Sequence, residues 1–342
     1  MLQRLLVLIA LATVVAATSV AFAQDAKKCR LQKVVEWQVR MIGRHMAVDG
    51  AINGKKIGIV LDTGASMSIL FRAAAKRLDL PLKEARGQRV YGVGGESRVD
   101  TTVVEEFKLG EAVVRDLNLM VAGETNVSEG FDLLLGEDFL GRFDIEFDLA
   151  NDVVRLWQPK DCEGRSLAYW TKDVVGEVAI DALANWNPKI EFTVHLNGKP
   201  VHAILDSGAS TTIVSLQDVE RLGVPTTPVV AKSSGVGPKS IEYMIGKFAS
   251  FAIGNEDIPD VEILVADIYK HATYQGAGSR IVRNAFDRQP MLLGADFLRA
   301  HRTLVAHSQG KMYFTYVGGP AFSLGGAKAP AHAPSGEKPK GD

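Results

Sequence analysis

The sequence is poor in the residues that staple small folds or hold metals. Its 342 residues include two cysteines, too few for a disulfide scaffold or a four-thiolate zinc site, and its seven histidines include no HExxH pair. Neither sign of charge is in excess: 39 Lys+Arg stand against 40 Asp+Glu, and the formal net charge is −1. A pI near 6.7 gives no basic surface for nucleic acid or anionic lipid. Collagen, coiled coil, zinc finger and polytopic membrane protein are excluded. What is there is an ordinary globular composition, 46% hydrophobic and 23% charged, at a length that suggests two domains.

The first residues read as an export signal. Arg4 supplies a positive charge, residues 5–20 are apolar apart from small Thr and Ser, and Ala21-Phe22-Ala23 offers small residues at a cleavage site. Cleavage there leaves no stable membrane span, and the mature chain is expected in the periplasm or outside the cell. In that oxidising setting Cys29 and Cys162 could form a bridge from the N-terminal segment to the connection between domains, or stay as two free thiols.

An internal repeat organises the rest. Asn53-Gly54-Lys55 recurs as Asn197-Gly198-Lys199, and Leu61-Asp62-Thr63-Gly64-Ala65-Ser66 as Leu205-Asp206-Ser207-Gly208-Ala209-Ser210, both at an offset of 144. A third block, Leu134-Leu135-Gly136-Glu137-Asp138-Phe139-Leu140, returns as Leu292-Leu293-Gly294-Ala295-Asp296-Phe297-Leu298 at an offset of 158. The second copy is therefore fourteen residues longer, between Ala266 and Pro290. Each copy reads as β: Asn-Gly between apolar residues predicts a hairpin, and 57–61 and 201–205 predict buried strands. Short helices are expected over 71–80 and 215–222, and 145–157 among the further alternating stretches. The expected division is a signal over 1–23, an N-terminal segment over 24–43, lobes over 44–157 and 172–317, a linker over 158–171, and a disordered Ala/Pro/Gly/Lys-rich tail over 318–342.

The chemistry lies in the duplicated carboxylate. An Asp at the end of an apolar strand is costly to bury unless its oxygens receive hydrogen bonds, and the Gly two residues on allows close backbone approach and an amide donor. A single Asp-Thr-Gly is equally an Asp closing a turn. Two copies related by a pseudo-two-fold axis bring Asp62 and Asp206 face to face.

Three motifs in the same order, twice, over roughly residues 44–317, resemble the retropepsin-like aspartic proteases, fused in one chain as in pepsin. The resemblance implies an all-β fold of two acid-protease barrel lobes, each with a short helix. It also implies an endopeptidase acting on polypeptide in extended conformation, with Asp62 and Asp206 activating a water and no metal or other cofactor. Gly64 and Gly208 would donate amides to the carboxylates, Thr63 and Ser207 would lock the lobes, and the chain would work as a monomer by pairing its own lobes. Tyr91-Gly92-Val93-Gly94-Gly95 resembles the pepsin flap, with Gly235-Val236-Gly237 as a weaker counterpart beside Pro238, which lacks an amide donor. Ala65 and Ala209 stand where many pepsin-like enzymes place a hydroxyl that acidifies a catalytic Asp, so a less acid optimum is expected. The competing readings are a non-catalytic peptide-binding module that retains the cleft, and a scaffold whose lobes pair between chains. Asp138 and Asp296 are expected to cap helix starts or turns, and the histidines to be surface or satisfied core residues. The insert, with Tyr269 and His271, could shape substrate access or be a solvated loop.

Overall fold

The computed structural model describes residues 28–123, 130–181, 189–229, 237–275, 282–284 and 289–324. Each copy folds on itself because its Asn-Gly turn reverses the chain in two residues. Asn53 and Gly54 both have positive φ (48° and 74°), as do Asn197 and Gly198 (51° and 71°), the geometry that matches the twist of paired strands. Asn53 and Asn197 add a second role, their side-chain oxygens accepting from the amides of Glu106 (3.0 Å) and Ala249 (2.7 Å).

In the first copy eight strands run in the spatial order Arg40–Ile42, His45–Ile52, Lys55–Leu61, Leu133–Leu135, Ile69–Phe71, Ala112–Ala122, Gly95–Leu109 and Lys83–Gly92. The sheet curls into a barrel because His45–Ile52 also pairs with Gly95–Leu109. The second copy repeats the order with seven strands: Glu191–Leu196, Lys199–Leu205, Met291–Leu293, Ile213–Ser215, Glu256–Ala266, Tyr243–Ile253 and Thr226–Val229. It closes in the same way, Glu191–Leu196 pairing with Tyr243–Ile253. The alternation of apolar and polar residues along these strands turns one face of each sheet inward, onto Ile59, Leu70 and Leu133 in one barrel and Phe192 and Phe251 in the other, all buried. The protein is two homologous β-barrel lobes about a pseudo-two-fold axis.

Each lobe has a short helix where one was expected, Arg72–Arg77 and Leu216–Leu222, and a second further on, Glu137–Leu140 and Ala295–Ala300. Leu216–Leu222 starts where Ser215 Oγ accepts from the Asp218 amide (3.1 Å) and stops at Gly223 in the left-handed region.

A third sheet spans the two lobes. Arg30–Gln38, Val153–Lys160, Asp144–Asp148, His301–Ala306, Lys311–Tyr316 and Gly176–Ala179 lie side by side in that order. Its joint is the antiparallel pair Asp144–Asp148 and His301–Ala306, with Ile145 opposite Val305. Here several expectations change. Residues 145–157 form two strands and not one stretch, because a turn over Leu149–Asn151 and left-handed Asp152 (φ 54°) fold them into a hairpin. The supposed linker over 158–171 begins inside Val153–Lys160. It continues with Cys162, Leu167 and Ala168 buried against Trp157, Leu304 and Tyr313. The tail is packed as far as Leu324: the Phe322 ring lies 4.8 Å from Phe251, and the Ser323 amide donates to Asp296 Oδ2 (3.0 Å). Cys29 and Cys162 form a disulfide that ties the first strand of this sheet to the chain leaving the second. The signal segment lies outside the described residues.

Candidate active site

Asp62 and Asp206 end equivalent strands, Lys55–Leu61 and Lys199–Leu205, and are anchored alike. Their amides donate to Leu135 O (3.0 Å) and Leu293 O (2.9 Å) on the parallel neighbour. The chain then turns tightly. Asp62 Oδ1 accepts from the amides of Gly64 (3.0 Å) and Ala65 (3.1 Å), and Asp206 Oδ1 from Ala209 (2.8 Å), which supplies the hydrogen bonds such carboxylates require.

The turns interlock across the axis. Thr63 N–H donates to Ser207 Oγ and Ser207 N–H to Thr63 Oγ1, both at 3.0 Å. The Thr63 hydroxyl donates to Leu205 O and the Ser207 hydroxyl to Leu61 O, both at 2.8 Å. All these donors are buried, so the four bonds fix one lobe's turn against the other's. Gly64 and Gly208 complete the arrangement. A Cβ on Gly64 would strike the Asp206 carboxylate, and a Cβ on Gly208 would strike that of Asp62. Each glycine is the space into which the opposite carboxylate fits, and the two acids meet.

The third repeated block braces both turns from behind. Asp138 Oδ1 accepts from the Ser68 amide (2.9 Å) and hydroxyl (2.7 Å), and Ser68 Oγ accepts from Gly136 N–H (3.0 Å). Asp296, Thr212 and Gly294 repeat this (2.9, 2.7 and 3.0 Å). Of the two roles expected of these aspartates, capping helix starts or turns, the structure favours the second: they hold the loops that follow Asp62 and Asp206. The short helices Glu137–Leu140 and Ala295–Ala300 begin after glycines with no side-chain cap, and the aspartates reach back to the loops that follow Asp62 and Asp206. The helix-start amides of Glu137 and Ala295 donate to Ala65 O (2.9 Å) and Ala209 O (2.8 Å).

Electrostatically the pair is strained. Both carboxylates are partly accessible, yet enough protein surrounds them that desolvation raises both above the ordinary carboxylate range. Asp62 stands well above it, pushed further by the neighbouring Asp206 charge. For Asp206 the Ala209 amide and then the Lys189 ammonium pull the other way.

Over the site lies the hairpin of Lys83–Gly92 and Gly95–Leu109, turning at Val93-Gly94. Its tip meets the other lobe: Gly237 N–H donates to Val93 O and Lys239 N–H to Gly94 O, both at 3.0 Å. These donors flank Pro238, so the missing amide is not needed. Tyr91 and Val93 pack on a cluster that also contains Ala209 and buried Tyr269, and Gly95 lies against the backbone of His271. Gly235 and Val236 lie outside the described residues.

A family model described as aspartyl protease matches residues 48–139 and 192–297, more than half of the chain. This chain belongs to the aspartyl protease family. No curated protein matches it. Among solved structures it is similar to a retropepsin-like aspartic protease from Rickettsia conorii, with 21% identity and a TM-score of 0.28 over 39% of this chain and 95% of that one.

Three residues at this family member's site carry no motif. His45 Nδ1 lies 2.8 Å from Gly208 O; because that carbonyl can only accept, Nδ1 carries the hydrogen, and desolvation lowers the ring's pKa. Lys189 lies with its ammonium 6.0 Å from the centre of the Tyr269 ring. Tyr269, from the insert, has its hydroxyl pushed far up by burial and by the negative dyad. The repeat held the signal for two of them: His45 and Lys189 are 144 apart and each stands seventeen residues before its aspartate. Among the described residues no cluster of His, Cys, Asp and Glu could hold a metal ion, and no helix is long and apolar enough to cross a membrane.

Proposed function

We propose that the protein is an exported aspartic endopeptidase that hydrolyses peptide bonds through a water held between Asp62 and Asp206. The observation that carries this reading is the mutual seating of each carboxylate against the other copy's glycine. Two carboxyls so close share one proton, since a second negative charge is strongly disfavoured there. The ionised member takes a proton from the water as its oxygen bonds to the peptide carbonyl carbon. The protonated member gives its proton to the carbonyl oxygen, and a tetrahedral diol results. Collapse reverses these transfers: the diol loses a proton to one carboxylate, the amine leaves with a proton from the other, and the C–N bond breaks.

The hairpin tip at Val93-Gly94 serves as a flap, excluding water and offering main-chain groups to an extended peptide. One chain supplies both halves of the site, so the protein acts as a monomer. Export is supported by the pattern of residues 1–23 and by the Cys29–Cys162 bond, which requires an oxidising compartment. The test is incubation with a peptide library, wild type beside Asp62→Asn. Cleavage of defined bonds by the wild type alone supports the reading. A peptide bound intact by both would assign the cleft to binding without hydrolysis.

A further inference from the structure

The repeat is least symmetric where it faces the acids. Glu191 pairs with Ile204 and the Leu205 amide donates to Ile190 O (3.0 Å), so one step further along the antiparallel register places Lys189 opposite Asp206. The first lobe gives the same arithmetic. Ala47 pairs with Val60, which puts His45 opposite Asp62. Side chains facing each other on antiparallel strands stand about 5 Å apart at Cβ and share one side of the sheet. Each aspartate thus has a basic residue type across from it, but the two are not equivalent. The His45 ring is turned to Gly208 O, where the acid charge it meets is that of Asp206, and desolvation lowers its pKa. Burial lowers the Lys189 pKa, while the charges of Asp206, then Asp62 and Glu191, favour its ammonium form, and that ammonium lies 6.0 Å from the centre of the Tyr269 ring.

The charged and titratable groups around Lys189 come from every packed element. They are Asp206 and Asp62 at the strand ends, Glu191 on its own strand and Tyr269 on the insert. The other cation near the site is Arg299 of the same lobe, which stands beside His45; its guanidinium donates to Arg44 O (2.8 Å) and Ser210 O (3.4 Å). Lys189 is therefore the cation placed to divide the pair's single proton unequally.

We propose that Lys189 is the counter-ion of the dyad, holding Asp206 charged and leaving the shared proton on Asp62. This rests on reading the pair as the hydrolytic centre, and it assigns the roles that symmetry leaves open. Asp206 removes the proton from the attacking water, and Asp62 delivers its own to the carbonyl oxygen. In the second half, Asp206 returns its proton to the leaving amine and Asp62 recovers one from the diol. Lys189 is a positioning residue, acting through Asp206 and not on the peptide.

The test separates this claim from hydrolysis itself. In an Asp62→Asn background Asp206 titrates alone, and in Asp206→Asn Asp62 does; each is followed by carbon NMR of the labelled carboxylate. Adding Lys189→Met should raise the Asp206 midpoint by about one pH unit or more, as expected for loss of a neighbouring cation, and that of Asp62 by less. Lys189→Arg should restore the Asp206 value, and Lys189→Gln takes the place of Met should the latter not fold. In the otherwise intact enzyme, Lys189→Met should move the acid limb of the kcat/KM profile upward, which a packing role would not do. An unchanged Asp206 midpoint, or a larger shift at Asp62, would overturn the assignment. Because the titrations need no turnover, they decide it even if the wild type cleaves nothing, an outcome that would count against the hydrolase reading alone.

Discussion

Thr63 and Ser207 each donate a hydroxyl hydrogen to the strand of the other lobe and accept the other's backbone amide, four bonds of 2.8–3.0 Å across the axis. Their side chains are fully buried, so no water can replace a lost partner. Thr63→Val keeps the shape but strands the Ser207 amide and the Leu205 carbonyl. A loss of about 1–3 kcal/mol in denaturant unfolding is expected, with a fall in turnover as the acids lose alignment. Ser207→Ala should do the same. The double variant should lose less than the sum, because both belong to one network.

Both aspartates are raised above their ordinary values, which makes them a burden on the fold at neutral pH. A carboxyl that binds its proton more tightly when folded gains stability below its unfolded value. It loses that stability as pH climbs from there through its folded value. Asp62→Asn should therefore be inactive yet more stable than wild type at pH 7, with the advantage vanishing near pH 3. Melting temperatures across that range check the sign.

The same shifts bear on turnover. With the acids raised by desolvation, and with Ala65 and Ala209 offering no hydroxyl to lower them, kcat/KM should follow a bell whose acid limb lies above the usual carboxylate range. A profile peaking well below pH 4 would contradict this.

How the sequence reached this site, and where it stopped, follows from the range of the interactions. The facing of Asp62 and Asp206 was legible because they sit in contiguous, repeated motifs, and the hairpins because Asn-Gly dictates its own φ angles. The sheet joining the lobes was not: Ile145 meets Val305 only after both barrels are built, and no local pattern announces such a partner. Phe322 looked like part of a polar tail because its site on Phe251 lies in another element. His45 and Lys189 escaped notice because they share a position and not a residue type. For Asp138 and Asp296 the sequence left helix start and turn as alternatives, because only the fold brings Ser68 and Thr212 within reach.

The hairpin tip proposed as a flap makes a prediction about affinity. Gly94 has a φ of 83°, and a Cβ there would come within 2.8 Å of Gly237 O. Gly94→Ala should loosen the tip from the second lobe, raising KM for a peptide several-fold more than it lowers kcat. Equal changes in the two would point to damage at the acids instead.

Cys29 and Cys162 close a loop across 133 residues. Replacing both with serine should cost about 2–5 kcal/mol of unfolding free energy while sparing the chemistry of any folded molecules, read from denaturation beside active-site titration.

Cleavage of one library-selected peptide by the wild type, Asp62→Asn and Asp206→Asn decides whether two acids from distant stretches form one hydrolytic centre. Each single change should reduce kcat/KM by about a thousandfold or more, the scale of losing acid–base catalysis, with the fold intact by circular dichroism. A single variant that still cleaves at the wild-type rate would mean that the two carboxylates do not act together.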